Sequence, residues 1–129
     1  MGSIIDINGP LVTAELPGVA NGEQVRLGAI GVTGEVIARE GEQAVVQVYE
    51  ATDGIRPGEA VEALGHPLSV ELGPGLLGQI FDGVQRPLEA IRAEHGDHIP
   101  RGVVMSALDR AARWSFTPAP DLAEGHAVT

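Results

Sequence analysis

The 129-residue chain has no cysteine, no lysine and only four aromatic residues, Tyr49, Phe81, Trp114 and Phe116. Each absence removes a class of chemistry. Without cysteine there are no disulfides and no thiolate metal sites, and nothing speaks for secretion. Without lysine, no residue can play the phosphate-clamping part of a G-x-x-x-x-G-K-[ST] loop, and that motif is absent. Four scattered aromatics give no stacking platform for single-stranded nucleic acid. Basic charge is scarce too: eight arginines face eighteen carboxylates, for a formal charge of -10. Residues 1–85 hold three of those arginines against twelve carboxylates. A phosphate backbone binds clustered Lys and Arg, so no nucleic acid partner is expected. No apolar run is long enough to span a membrane. Met1 to Asp6 lacks the regions of a signal peptide, and Asp6 stands where a myristoylation site wants Ser or Thr. A cytoplasmic chain without direct membrane contact is the expectation.

What the sequence has is glycine and proline, eighteen and nine of them, falling between short apolar runs rather than within them. The β-prone runs are Ser3 to Ile7, Leu11 to Leu16, Gln24 to Leu27, Val32 to Arg39, Gln43 to Tyr49 and Ala60 to Leu64. Asn8-Gly9-Pro10, Glu40-Gly41-Glu42 and Pro57-Gly58 are turn signals between them. Six short strands at near-regular spacing predict a closed antiparallel β-barrel over residues 1–66, closure being what removes exposed edges. In the fifth run Ala44, Val46 and Val48 form one face and Val45, Gln47 and Tyr49 the other. Both faces are partly apolar, which suits a barrel whose outside also meets something.

Residues 67–88 read as a Gly/Pro-rich connector. Leu68, Val70 and Leu72 alternate with Ser69 and Glu71 as a half-buried strand does. Pro87 to Glu94 then predicts one short helix, with Pro in its first turn and Gly96 as its terminator. Arg101 to Leu108 reads as a strand by its paired valines, and Trp114 to Thr117 as a short extended run. The fold class predicted is mainly β: the barrel, a linker, one short helix and a small partial β region. A loosely ordered end is expected from Pro118 onward.

Sites for chemistry are few. Gly73 to Gly78 spells G-x-G-x-x-G, preceded by the predicted strand and followed by Glu94 at the distance of a ribose contact, which is the dinucleotide fingerprint. Gly83 and Pro87, however, interrupt the helix that must open at its last glycine. A structural turn is the better reading. His95, Asp97 and His98 suggest a metal site, but Gly96 breaks the shared helical face and no second ligand cluster completes a tetrahedron. Ser69 and Ser106 lack the G-x-S-x-G setting of a hydrolase nucleophile. No catalytic, cofactor or metal residue is therefore assigned.

Gln47 to Leu88 resembles the amino-terminal part of the catalytic A subunit of vacuolar-type and archaeal-type rotary ATPases. The motifs are V-Y-E, D-G, P-G-E, S-V-E-L-G-P-G-L-L-G and D-G-V-Q-R-P-L, in that order, and their combination is specific. Gly9 to Ala14, Gly34 to Ile37, Arg101 to Val104 and Trp114 to Pro118 extend the likeness over most of the chain. It departs at Val19 to Gln24, which is more polar, and at Pro118 to Thr129. The resemblance implies a six-stranded barrel that joins its neighbours into a crown on an alternating hexamer with B-type subunits. It also implies that residues 89–129 begin the A-subunit insertion, incomplete here. The parent is an ATP-hydrolysing or synthesising ion-translocating enzyme using ATP and Mg, peripheral to a membrane through its complex. Its P-loop lies outside this chain, so no cofactor and no activity are expected of the chain alone. As assembly residues the sequence nominates Val45, Gln47 and Tyr49, with Arg56 at a turn. The rival readings are a free-standing ligand- or protein-binding barrel and a nucleotide-binding enzyme using Gly73 to Gly78.

Overall fold

The structure is a computed structural model that describes residues 1–120, 124–125 and 127. Its six strands are β1 (Gly2–Asn8), β2 (Leu11–Glu15), β3 (Glu23–Leu27), β4 (Val32–Glu40), β5 (Gln43–Val48) and β6 (Ala60–Pro67). They are the six predicted from the apolar runs. Every pairing is antiparallel, in the order β1-β2-β5-β4-β3-β6, and β6 returns to β1 to close the barrel.

Alternation decides which side chains go inside. Along β5, Ala44, Val46 and Val48 are buried while Val45 and Gln47 face out, the period of two that pleating imposes. Val12 and Ala14 of β2 do the same, and they lie opposite Val46 and Ala44. The core is aliphatic and small: valines with Ile4, Leu16, Leu27, Ile55 and two alanines, and no buried polar or charged residue among those described. Small residues suit a narrow barrel, whose interior is just wide enough for side chains to fill. Gly34 shows how tight it is, because a Cβ there would sit 2.7 Å from Val46 Cγ1 and 2.9 Å from the Gln47 carbonyl oxygen.

Three bulges, between Ile4 and Asp6, Glu23 and Val25, and Val36 and Ala38, bend the strands around the barrel. The polar loop before β3 is tied down by its own charges. Glu23 accepts hydrogen bonds from the Ala20 and Gly65 backbone N–H groups, Arg39 donates to the Val19 carbonyl at 2.7 Å, and Val19 itself is buried. The Gly65 contact also carries β6 three residues beyond its predicted end, as far as Pro67 opposite Glu23.

After the barrel the regular structure thins. A single 3-10 turn, Pro74–Leu76, and the helix α1, Leu88–His95, follow. Pro87 caps α1 from outside, and Gly96, at φ 79°, ends it with its N–H on the Arg92 carbonyl. Two expectations fail here. Leu68 to Leu72 is not a strand: Val70 and Leu72 are exposed, and the Gln85 carboxamide occupies the Glu71 backbone N–H and carbonyl at 2.6 and 2.7 Å. A side chain thus takes the place of a neighbouring strand. Arg101 to Leu108 is irregular as well, and Trp114 to Thr117 has no strand partner, so the small partial β region does not exist among the described residues. Strand-like patterning needs a sheet to pair with, and the barrel is already closed. The expectation for Pro118 to Thr129 falls in large part outside the described residues.

Candidate functional site

Two surfaces hold side chains that the fold alone does not require. The first is the outside of the barrel over β1, β2, β5 and β4. Val45 lies between Thr13 on β2 and Ala38 on β4, and Gln47 between Leu11 and Glu35. Ile37, next to buried Val36, and Ile5, next to buried Ile4, face out by the same alternation, 46% and 42% exposed, and the bulges that follow them turn Ala38 and Asp6 outward as well. Ile5 and Asp6 at the β1 bulge thus lie level with Thr13, Val45 and Ala38 beside Ile37, while Leu11 lies two residues along β2 from Thr13, level with Gln47 and Glu35, so the face mixes apolar and polar side chains. Tyr49, just past β5, is 41% exposed and donates its phenol hydrogen to the Glu35 carboxylate. That hydrogen bond, with partial burial and the Glu35 charge, pushes the Tyr49 pKa up to about 12.

Val45, Gln47 and Tyr49 therefore share one side of the barrel. Arg56 lies on the turn that precedes β6. Its turn is held against the start of β1, where Gly58 N–H donates to the Ile4 carbonyl and Glu59 N–H to that of Arg56. In the barrel order β1 is separated from β5 by β2.

The second surface is a polar junction at the end of the barrel where the 28–31 and 49–53 loops lie. Glu50 Oε2 accepts from Gly102 N–H at 2.8 Å and pairs with Arg86 at 3.3 Å, and its other oxygen faces Thr33 N–H at 3.5 Å. Arg86 is aimed by Asp82, Nε to Oδ2 at 2.6 Å. Burial alone would raise the Asp82 carboxyl, but hydrogen bonds from the Arg86 backbone and guanidinium and from Val84 N–H outweigh it, so the group lies below its ordinary value. Arg101 donates to the carbonyls of Ala51 and Asp53. Sequence reasoning missed this junction. Its members sit in the motifs V-Y-E, D-G and Q-R-P-L, yet nothing local pairs a glutamate with partners 36 and 52 positions away.

The G-x-G-x-x-G stretch adopts the three-residue 3-10 turn, with Gly73 at φ 177° and no α-helix opening at Gly78. Gly73 and Gly75 face Leu108 and Trp114, so they pack against the chain's own side chains.

Compared with known proteins, residues 4–65 match the ATP synthase alpha/beta family, beta-barrel domain. The whole chain is 61% identical to the V-type ATP synthase alpha chain of Nitrosococcus oceani, over 22% of that protein. Over 92% of the chain it is 56% identical to the A subunit of the A-type ATP synthase of Thermococcus kodakarensis, covering 20% of it. The chain belongs to the ATP synthase alpha/beta family. Within that family it corresponds to the amino-terminal part of the A subunit, and it spans about a fifth of the length of these relatives. The assembled ATPase EscN of the enteropathogenic E. coli type III secretion system has a similar fold, at TM-score 0.62 and 29% identity over 67% of this chain and 21% of that one.

The chain has no lysine, and among the described residues its glycine-rich stretch leads into no helix whose N-terminus could meet a phosphate. Among the described residues the histidines do not converge: Asp97 pairs with Arg92 at 2.7 Å, and His95 lies 3.7 Å from Glu94. Among the described residues no three His, Asp or Glu side chains are placed to hold a metal ion, and no helix is long and apolar enough to cross a membrane.

Proposed function

We propose that this chain is the assembly part of a catalytic A subunit from a V-type/A-type rotary ATPase, acting by protein association rather than by catalysis. Its partners are B-type subunits, whose barrels alternate with its own in a crown. ATP, Mg and ion translocation belong to the parent subunit, which is cytoplasmic and peripheral to a membrane through the complex. The observation that supports this best is the outer face over β1, β2, β5 and β4, where Ile5, Leu11, Ile37 and Tyr49 are exposed around Val45 and Gln47. Exposed aliphatic and aromatic side chains set among polar ones on one face match the mixed composition of an interface that is not obligate. The barrel interior is already full, so these side chains have no packing role inside.

Light scattering and sedimentation of the chain mixed with a B-type subunit test the reading. Association is expected, and Val45→Asp should weaken it at least tenfold, about 1.4 kcal/mol. A chain that stays alone in every mixture would instead be a free-standing barrel.

A further inference from the structure

Glu50 is the one carboxylate, among the described residues, that touches both the barrel and the segment beyond it at several points. Its side chain is 9% exposed, and a charge held that far from water needs partners. One comes from the barrel, Thr33 N–H at the start of β4, and two come from beyond it, Arg86 and Gly102. Both of the latter are placed in advance. Arg86 is fixed by Asp82 and, through the Gln85 carboxamide, its neighbour grips the backbone of Glu71. Gly102 stands at φ 67°, so close to the barrel loop that a Cβ would collide with the Ile30 carbonyl oxygen. Beside it, Arg101 holds the carbonyls of Ala51 and Asp53, and Ile91 is the single fully buried apolar residue after the barrel among those described.

We propose that Glu50 is a latch: this carboxylate fastens residues 80–104 to one end of the barrel, and releasing it frees that segment as a unit while the barrel stays closed. The physical ground is the difference in what holds each part. Barrel strands are joined by continuous ladders and a shared core, whereas the segment is attached through a few polar contacts, of which Glu50 gathers those of Arg86 and Gly102 and Arg101 adds two to the neighbouring loop. Units held in such different ways open separately. The latch does not depend on any partner subunit, and its failure leaves the assembly reading untouched.

Hydrogen–deuterium exchange of the whole chain, read by mass spectrometry, tests it. In Glu50→Gln, amides of residues 80–104 should exchange at least tenfold faster while β2, β4 and β5 keep their protection. Arg86→Met should do the same, and the double variant should go no further than either alone. Gly102→Ala, which blocks the approach to Ile30 without touching the carboxylate, should free the same segment. Unchanged exchange over 80–104 in Glu50→Gln overturns the proposal. So does equal acceleration in the barrel strands, which makes Glu50 part of the barrel's own stability. If Glu50→Gln does not fold, Gly102→Ala decides: a segment that stays protected there also overturns it.

Discussion

The barrel and the segment after it are one polypeptide with two ways of holding shape. In the barrel, fourteen buried apolar residues share one cluster, and backbone groups pair strand to strand all the way round. In residues 68–120, Leu72, Leu77 and Phe116 are each more than four-fifths exposed, and the fixed points are polar: Gln85 on Glu71, Arg86 on Asp82 and Glu50, Arg101 on two carbonyls. The difference teaches that alternation of apolar residues yields a strand only where a ladder is open to receive it. Val70 and Leu72 have the pattern of Val46 and Val48 and none of their burial.

The contrast can be broken most severely from inside. Leu27→Ala removes the largest fully buried side chain of the barrel, and it should cost about 2–5 kcal/mol in urea or thermal unfolding followed by circular dichroism. Gly34→Ala tests packing from the opposite direction. The added methyl meets Val46 and the Gln47 carbonyl, so a loss of about 1–3 kcal/mol is expected in the same assay.

On the barrel's outside the expected effect is spectroscopic. Tyr49 is the chain's one tyrosine, so absorbance at alkaline pH follows it alone. It should ionise near pH 12, and Glu35→Gln should bring it back toward 10. The sign for stability follows: the folded state favours the neutral phenol, so the benefit is complete below the unfolded value of 10 and disappears as pH rises through 12. Beyond the barrel, Leu77→Asn should change unfolding free energy by no more than about 0.5 kcal/mol, since the side chain is 84% exposed. A larger loss there would mean that the segment has a core of its own.

How much is legible in the sequence follows the same division. The six strands are legible because their period of two is punctuated by turn residues such as Asn8-Gly9-Pro10, and α1 because Pro87 and Gly96 bracket it. The outward face of Val45, Gln47 and Tyr49 comes from that period. Ile5 and Ile37 follow from it too, beside buried Ile4 and Val36, whereas Asp6 and Ala38 face out only through bulges, which shift the register without leaving a mark in the sequence. Nor is it legible that the Arg56 turn meets β1, since neighbours in a closed sheet depend on strand order. Glu50 is hidden for a similar reason: its partners are chosen by where two loops end up.

The pairing of β1 with β6 spans two residue pairs, Gly2 with Val61 and Ser3 with Ala60, and is prolonged by the Ile4 contacts to Gly58 and Glu59. Every other seam is longer. A ring fails at its shortest weld, and this one lies in the first four residues. Parting there turns the cylinder into a flat sheet with two unsatisfied margins, ready to add a strand from another molecule. Closure of the ring thus hangs on a few atoms around Gly2, where even a methyl would collide with the Glu15 carbonyl.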